Sequence, residues 1–270
     1  MLIATTYDDV TQIKMSREVD GKGIYWVASY LVDGLLVDTG CMFTAQELLD
    51  FLKDKDISQV VNTHFHEDHV GANKLLQEQR GVAIYAHPDS IPLIASKQFL
   101  YPYQEFVWGY PEPSVTVPIP AVIKTNKYTF SVIETPGHSA GHISLIERSR
   151  GWCFSGDIYS RVKVKFIRPE EDVADCIASM EKIMSILTER LILFTSVGKI
   201  VDDGRRELSD TINYLHELAE QVAMLLQKGC DTDSIINTLF GGEHSFADLT
   251  NGQYTTRNLV NSLITMVKNN

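Results

Sequence analysis

The chain is poor in cysteine: four in 270 residues, Cys41, Cys153, Cys176 and Cys230, with no C-x-x-C pair among them. That excludes a disulfide framework and makes a reducing cytoplasm the expected compartment. Long apolar runs are missing as well, with no stretch of about 18 residues to span a bilayer. Met1 to Asp9 turns acidic before any basic region or apolar core appears, so neither a cleaved signal nor a membrane anchor is expected. Basic side chains are short in number, 24 against 35 acidic ones, and the formal charge of −11 repels phosphate backbones and anionic membranes. Nucleic acid is therefore a disfavoured partner. Only 9 prolines and 17 glycines, with 44% hydrophobic residues, rule out collagen-like and disordered composition and leave a packed soluble protein.

The first half reads as short strands closed by turns. Gly23 to Val32 and Leu35 to Asp38 flank Asp33-Gly34, a strong hairpin signal. Thr44 and Glu47 have capping-box spacing ahead of a short helix ending near Lys55. Val60-Val61 predicts a brief strand, and Ala72 to Arg80 a helix stopped by Gly81. Further strands are predicted at 82–86, 128–135, 143–147, 151–155 and 191–195, giving a mixed α/β architecture. Pro88 to Pro120, rich in proline and aromatics, has neither period and reads as a long loop or lid. From Arg206 to Lys228 the leucines keep helical spacing, and shorter helical segments follow.

Between the strand at Val60 and the helix at Ala72 lies the string Thr63-His64-Phe65-His66-Glu67-Asp68-His69. Packing gives no reason to crowd three imidazoles beside a carboxylate, and these are the donors that suit zinc, iron or manganese. In an extended stretch His64 and His66 face the same way while Asp68 and His69 diverge, so two neighbouring metal sites are plausible from one loop. Pro136-Gly137-His138-Ser139-Ala140-Gly141-His142 and Ser155-Gly156-Asp157 each put a His or Asp at the end of a predicted strand. Several strand ends then converge on one site.

With Asp38 in Val37-Asp38-Thr39-Gly40 ahead of them, these motifs make the chain resemble the metallo-β-lactamase-fold hydrolases from about Gly23 to Gly198. The form P-G-H-S-x-G-H and the helical tail point to the glyoxalase II-like branch. The resemblance implies an αββα sandwich of two mixed β-sheets flanked by helices over residues 1–204, with 205–270 as a C-terminal helical extension packed on the same domain. It makes His64, His66 and His138 ligands of one metal and Asp68 and His69 ligands of a second, with Asp157 bridging. Asp38 would orient a ligand histidine or its loop, or else cap its own turn. His142 is expected to donate a hydrogen bond near the site rather than to bind metal.

One position departs from the family. The last ligand is usually a His in a turn after the final strand, and the aligned stretch is Thr195-Ser196-Val197-Gly198. Val197 stands where that His would be, so zinc, expected at two per chain with iron or manganese as alternatives, should be weakened at the second site. His244 is a remote candidate to replace the lost ligand; His87 and His216 read as ordinary surface histidines. The implied activity is metal-dependent hydrolysis of a thioester, lactone or related ester, with metal-activated water as nucleophile and Asp68 handling its proton. A mononuclear-iron oxidoreductase resembling the persulfide dioxygenases, on His64, His138 and Asp157, is the alternative, and a phosphodiesterase or ribonuclease a weaker one.

Arg161, Lys163 and Lys165 alternate with Val162, Val164 and Phe166, which predicts a strand with three cations on one face, able to hold an anionic substrate tail or simply solvated. Tyr159 could polarise a substrate carbonyl or pack at the sheet edge. The expected partner is a small-molecule substrate, and the apolar C-terminal helices leave a homodimer open.

Overall fold

A computed structural model describes residues 1–187 and 189–269. The chain opens with a hairpin of β1 (Leu2–Tyr7) and β2 (Val10–Met15), then a minimal one of β3 (Glu18–Val19) and β4 (Lys22–Gly23). β5 (Val27–Val32) and β6 (Leu35–Val37) turn at Asp33-Gly34, both with positive φ, as a two-residue hairpin loop requires. α1 (Ala45–Phe51), β7 (Gln59–Val61), α2 (Asn73–Arg80) and β8 (Ala83–Ala86) follow, then α3 (Ile91–Ile94), α4 (Pro102–Val107) and β9 (Val117–Pro118). The second half holds β10 (Val122–Lys124), β11 (Thr129–Glu134), β12 (Ile143–Glu147), β13 (Trp152–Gly156), α5 (Val173–Ile186), β14 (Ile192–Thr195) and β15 (Ile200–Val201). α6 (Gly204–Gln227), α7 (Thr232–Phe240), α8 (Phe246–Leu249) and α9 (Thr256–Asn269) complete it.

Two mixed sheets result. One runs β1-β2-β5-β6-β7-β8-β9, and the other β10-β11-β12-β13-β14-β15. The two-residue period of each strand sorts its side chains into layers. From β6, Leu35 and Val37 enter the core between the sheets while Leu36 faces the core under α1 and α2. From β13, Trp152 and Phe154 enter the same inter-sheet core while Cys153 joins the opposite one, formed with α5, α6, α7 and α9. The strands buried on both faces read as near-continuous apolar runs for this reason. The outcome is the expected αββα sandwich, and Leu208, Ile212 and Leu215 of α6 share a core with Leu191 and Leu193 beside and within β14.

Four local expectations need correction. The β1–β2 hairpin was not foreseen: the interior of β1 is exposed and polar enough that it carries no alternating pattern. Thr44 makes no capping bond; its hydroxyl donates to the Cys41 carbonyl at 3.1 Å, and Glu47 instead accepts from the Met1 ammonium at 2.8 Å. The 88–120 stretch contains two short helices and a strand rather than a bare loop. Residues 161–166 form no strand, although Arg161, Lys163 and Lys165 still alternate as exposed residues with half-buried neighbours.

Candidate metal centre

The loop from Asn62 to Ala72 joins β7 to α2 at one edge of the sandwich, and the turns after β11, β13 and β14 arrive at the same edge. His64 Nε2 lies 2.9 Å from His66 Nδ1, and His138 Nε2 lies 3.1 Å from that same atom. All three rings are buried. Their outer nitrogens explain the inner ones. The Thr63 hydroxyl donates to Asp38 at 2.8 Å, so at 3.1 Å from His64 Nδ1 it serves as acceptor and leaves His64 Nε2 bare. His138 Nδ1 faces Glu171 at 3.4 Å, which turns its Nε2 lone pair inward. Burial, followed by the charges of His69 and His66, holds His64 well below an ordinary imidazole. Burial and then Arg168 do the same for His66. Burial would lower His138 as well, but Glu171 and Asp157 outweigh it and raise that ring, so His64 and His66 are the two held neutral. Neutral imidazoles with convergent lone pairs are what a metal ion takes.

A second group adjoins the first. His69 donates from Nδ1 to Asp38 at 2.8 Å, and its buried Nε2 has no hydrogen-bond partner, standing 3.4 Å from Asp157 and 3.8 Å from Asp68. An orphaned ring nitrogen aimed at two carboxylates calls for a positive charge between them. Burial alone would lower His69, but Asp38, Asp68 and Asp157 together outweigh it and raise it well above the ordinary value. Asp68 is pushed up to about 6, first by burial, against the pull of His69. Burial would raise Asp157 too, yet His69 and His138 hold it well below the usual carboxylate range. His64, His66 and His138 form one group able to hold a cation, and His64, His69 and Asp157 another. The two groups share His64, and the donor set with the orphaned nitrogen fits a divalent metal centre.

Supporting residues lock these groups in place. Asp38, at φ +59°, also accepts from the Thr63 backbone N–H at 2.7 Å, so its carboxylate reaches across to the end of β7. His142 accepts from the Asp157 N–H at 3.0 Å and donates from Nδ1 toward the Thr135 hydroxyl at 2.9 Å, fixing the backbone that carries Asp157. The Ser196 hydroxyl donates to Asp157 as well. Val197 offers no donor and lines the adjoining cavity. His244 stacks on Phe166 at 4.4 Å, and its Nδ1 accepts from the Phe246 N–H, so it does not replace the missing ligand. His87 caps its own turn through Asp89, and His216 sits exposed on α6.

A cavity of about 280 Å³ opens beside Asp157 and His138. Arg161 and Lys165 line it, whereas Lys163 is not among its wall residues. Tyr159 lines it too, but its hydroxyl donates to Glu207 of α6. Sequence reasoning missed the network behind this wall. Glu67, buried within the His-rich string, accepts from Gln104 of α4 at 2.8 Å and lies 3.7 Å from Arg168, which donates from Nε to the Tyr254 hydroxyl at 2.8 Å. Glu67 could have been suspected as a charge between two ligands; Arg168 and Tyr254 carry no local signal. The cysteines are all free, and burial raises Cys41, Cys153 and Cys176, so none of those three is an activated thiol.

Convergent imidazoles and carboxylates at the edge of an αββα sandwich define a metal-binding member of the metallo-hydrolase class. The chain belongs to the metallo-beta-lactamase superfamily, whose family model matches residues 27–195. It is 25% identical over 178 residues to a hydroxyacylglutathione hydrolase of Haemophilus influenzae, covering 62% of this chain and 81% of that one. It is 28% identical over 198 residues to a probable metallo-hydrolase of Methanocaldococcus jannaschii, covering 70% and 95%. A metallo-beta-lactamase family protein of Thermus thermophilus superposes with a TM-score of 0.64 at 15% identity, over 94% of this chain and 90% of that one, a likeness of fold alone. Glyoxalase II-like enzymes thus stand among its relatives. No helix among the described residues is long and apolar enough to cross a membrane.

Proposed function

We propose that the chain is a metal-dependent hydrolase of a thioester, lactone or related ester, with zinc held tightly by His64, His66 and His138 and more weakly by Asp68, His69 and Asp157. The observation that carries this reading is the three bare imidazole nitrogens, 2.9 and 3.1 Å apart, beside an apolar cavity that reaches Asp157 and His138. A divalent cation there supplies Lewis acidity, making a nucleophile available from water near neutral pH and polarising a carbonyl. Asp68, raised to about 6, takes and returns a proton at neutral pH. Trp108 and Tyr25 wall the cavity and exclude bulk water, while Arg161 and Lys165 attract an anionic leaving group. Hydrolysis named for the Haemophilus relative supports the reaction class.

His66 aims at the same point as His64 and His138, which favours this reading over the two-His, one-carboxylate iron site of a dioxygenase. The test is a panel of hydroxyacylglutathione thioesters, lactones and aryl esters run with zinc-loaded protein, alongside oxygen uptake on a persulfide with iron-loaded protein. Zinc-dependent turnover that collapses in His66→Ala is the expected result. Oxygen uptake without ester turnover would overturn it.

A further inference from the structure

The cavity is far more apolar than recognition of a short hydroxyacyl group needs. Its floor is Met180 of α5 and Leu215 of α6, 1% and 3% exposed, and its mouth is Phe246 and Leu249 of α8, 40% and 66% exposed. Tyr103, Trp108 and Tyr254 form one aromatic wall, with the Tyr103 and Tyr254 rings in edge contact at 6.3 Å between centroids. The space therefore runs from an aromatic rim, past the metal-site edge at His138 and Asp157, to a dry end between two helices. Arg161 stacks 5.4 Å over Phe166 in the lining and Lys165 joins it, while the Thr211 hydroxyl beside Leu215 donates to the Glu207 carbonyl at 2.8 Å. Tyr254 is held in this wall by Arg168, which also faces Glu67 of the metal loop. The C-terminal segment thereby builds the pocket as well as packing the core.

We propose that the cavity binds the unbranched apolar acyl tail of a medium-chain ester or thioester, with the scissile carbonyl at the His138–Asp157 edge and the leaving group toward Arg161 and Lys165. The substrate class rests on the hydrolase reading; the binding of the tail does not. Each methylene added within the cavity should raise affinity about fourfold, from roughly 0.8 kcal/mol per buried CH₂, until the floor is reached.

Two measurements on the full, zinc-loaded chain test this. The first is calorimetric binding of acetate, butanoate and octanoate, with Leu215→Trp and Met180→Trp narrowing the floor and Leu249→Glu charging the exposed mouth. The second is kcat/KM for p-nitrophenyl esters of the same acids. Octanoate bound on the order of 100-fold tighter than butanoate, with the gain lost in a floor variant that keeps its wild-type Tm or in Leu249→Glu, is expected. Octanoate binding without ester turnover would uphold the tail site and overturn the hydrolase reading. Affinity independent of chain length, or turnover highest on the acetyl ester with octanoate unbound, would overturn the tail site and leave hydrolysis standing.

Discussion

Asp38→Asn isolates the part of the site that would prepare the proposed second, weaker ion. The wild-type carboxylate accepts from the Thr63 N–H at 2.7 Å, the Thr63 hydroxyl at 2.8 Å and His69 Nδ1 at 2.8 Å. Asparagine tolerates the left-handed backbone at φ +59°, so the turn survives. Its carbonyl still accepts from the Thr63 N–H, and the Thr63 hydroxyl recovers a bond by rotating to accept from the amide. His69 has no such recourse. An amide N–H facing Nδ1 drives the ring proton to Nε2, the atom that must stay bare to bind metal. One charge-assisted hydrogen bond is lost, about 2 kcal/mol, and affinity for the weaker ion should fall 10- to 100-fold, the usual effect of removing a ligand's hydrogen-bond partner. Zinc competition against a chromophoric chelator reads the affinity and urea unfolding reads the stability. Unchanged affinity for the weaker ion would refute the claim that Asp38 sets the His69 tautomer.

Other substitutions probe the scaffold. Burial depresses His142 to about 3, so between pH 6.5 and 3 the unfolded chain binds a proton the native state refuses, and stability falls as pH falls. In metal-free His142→Gln the loss from pH 7 to pH 5 should be smaller by about 2 kcal/mol in urea titrations; an identical loss would contradict the assignment. Glu67→Gln keeps the Gln104 bond but strips the charge facing buried Arg168, and should cost about 3 kcal/mol. Glu170→Gln, at a 43% exposed carboxylate, should cost less than about 1 kcal/mol in the same assay. Gly137 has φ +120°, and a Cβ there would stand 2.4 Å from the Cys176 backbone nitrogen. Gly137→Ala should lose about 2–4 kcal/mol and loosen the ion held by neighbouring His138, read as Tm and metal retention.

Much of the centre was legible because its residues sit in short local strings. His64 to His69 and the turn at His138 announce themselves by type and spacing, and Asp157 by its place after a buried strand. The Asp33-Gly34 hairpin and the stop at Gly81 were equally local, each needing a positive φ. What stayed hidden depends on distance along the chain. Glu67, Gln104, Arg168 and Tyr254 meet across as many as 187 positions, and no periodicity encodes that meeting. The alternation at 161–166 mimicked a strand because its exposed cations do alternate with half-buried neighbours, but the backbone bends at Val162 and Lys163 and pairs there with no other strand among the described residues. Thr44 and Glu47 had capping-box spacing, but a nearer carbonyl and the chain's own amino terminus claimed them.

The central claim is a tight ion in the three-histidine cage and a weaker one beside it, short of a ligand at Val197. Metal content per chain, measured by elemental analysis on tag-free protein after gel filtration, tests it most directly, with His66→Ala and Val197→His in parallel. The account expects one retained ion in the wild type, a second that titrates in at higher concentration, loss of the retained ion in His66→Ala, and two retained ions in Val197→His. A wild-type chain that takes up no zinc, iron or manganese, or that keeps its ion in His66→Ala, would contradict it.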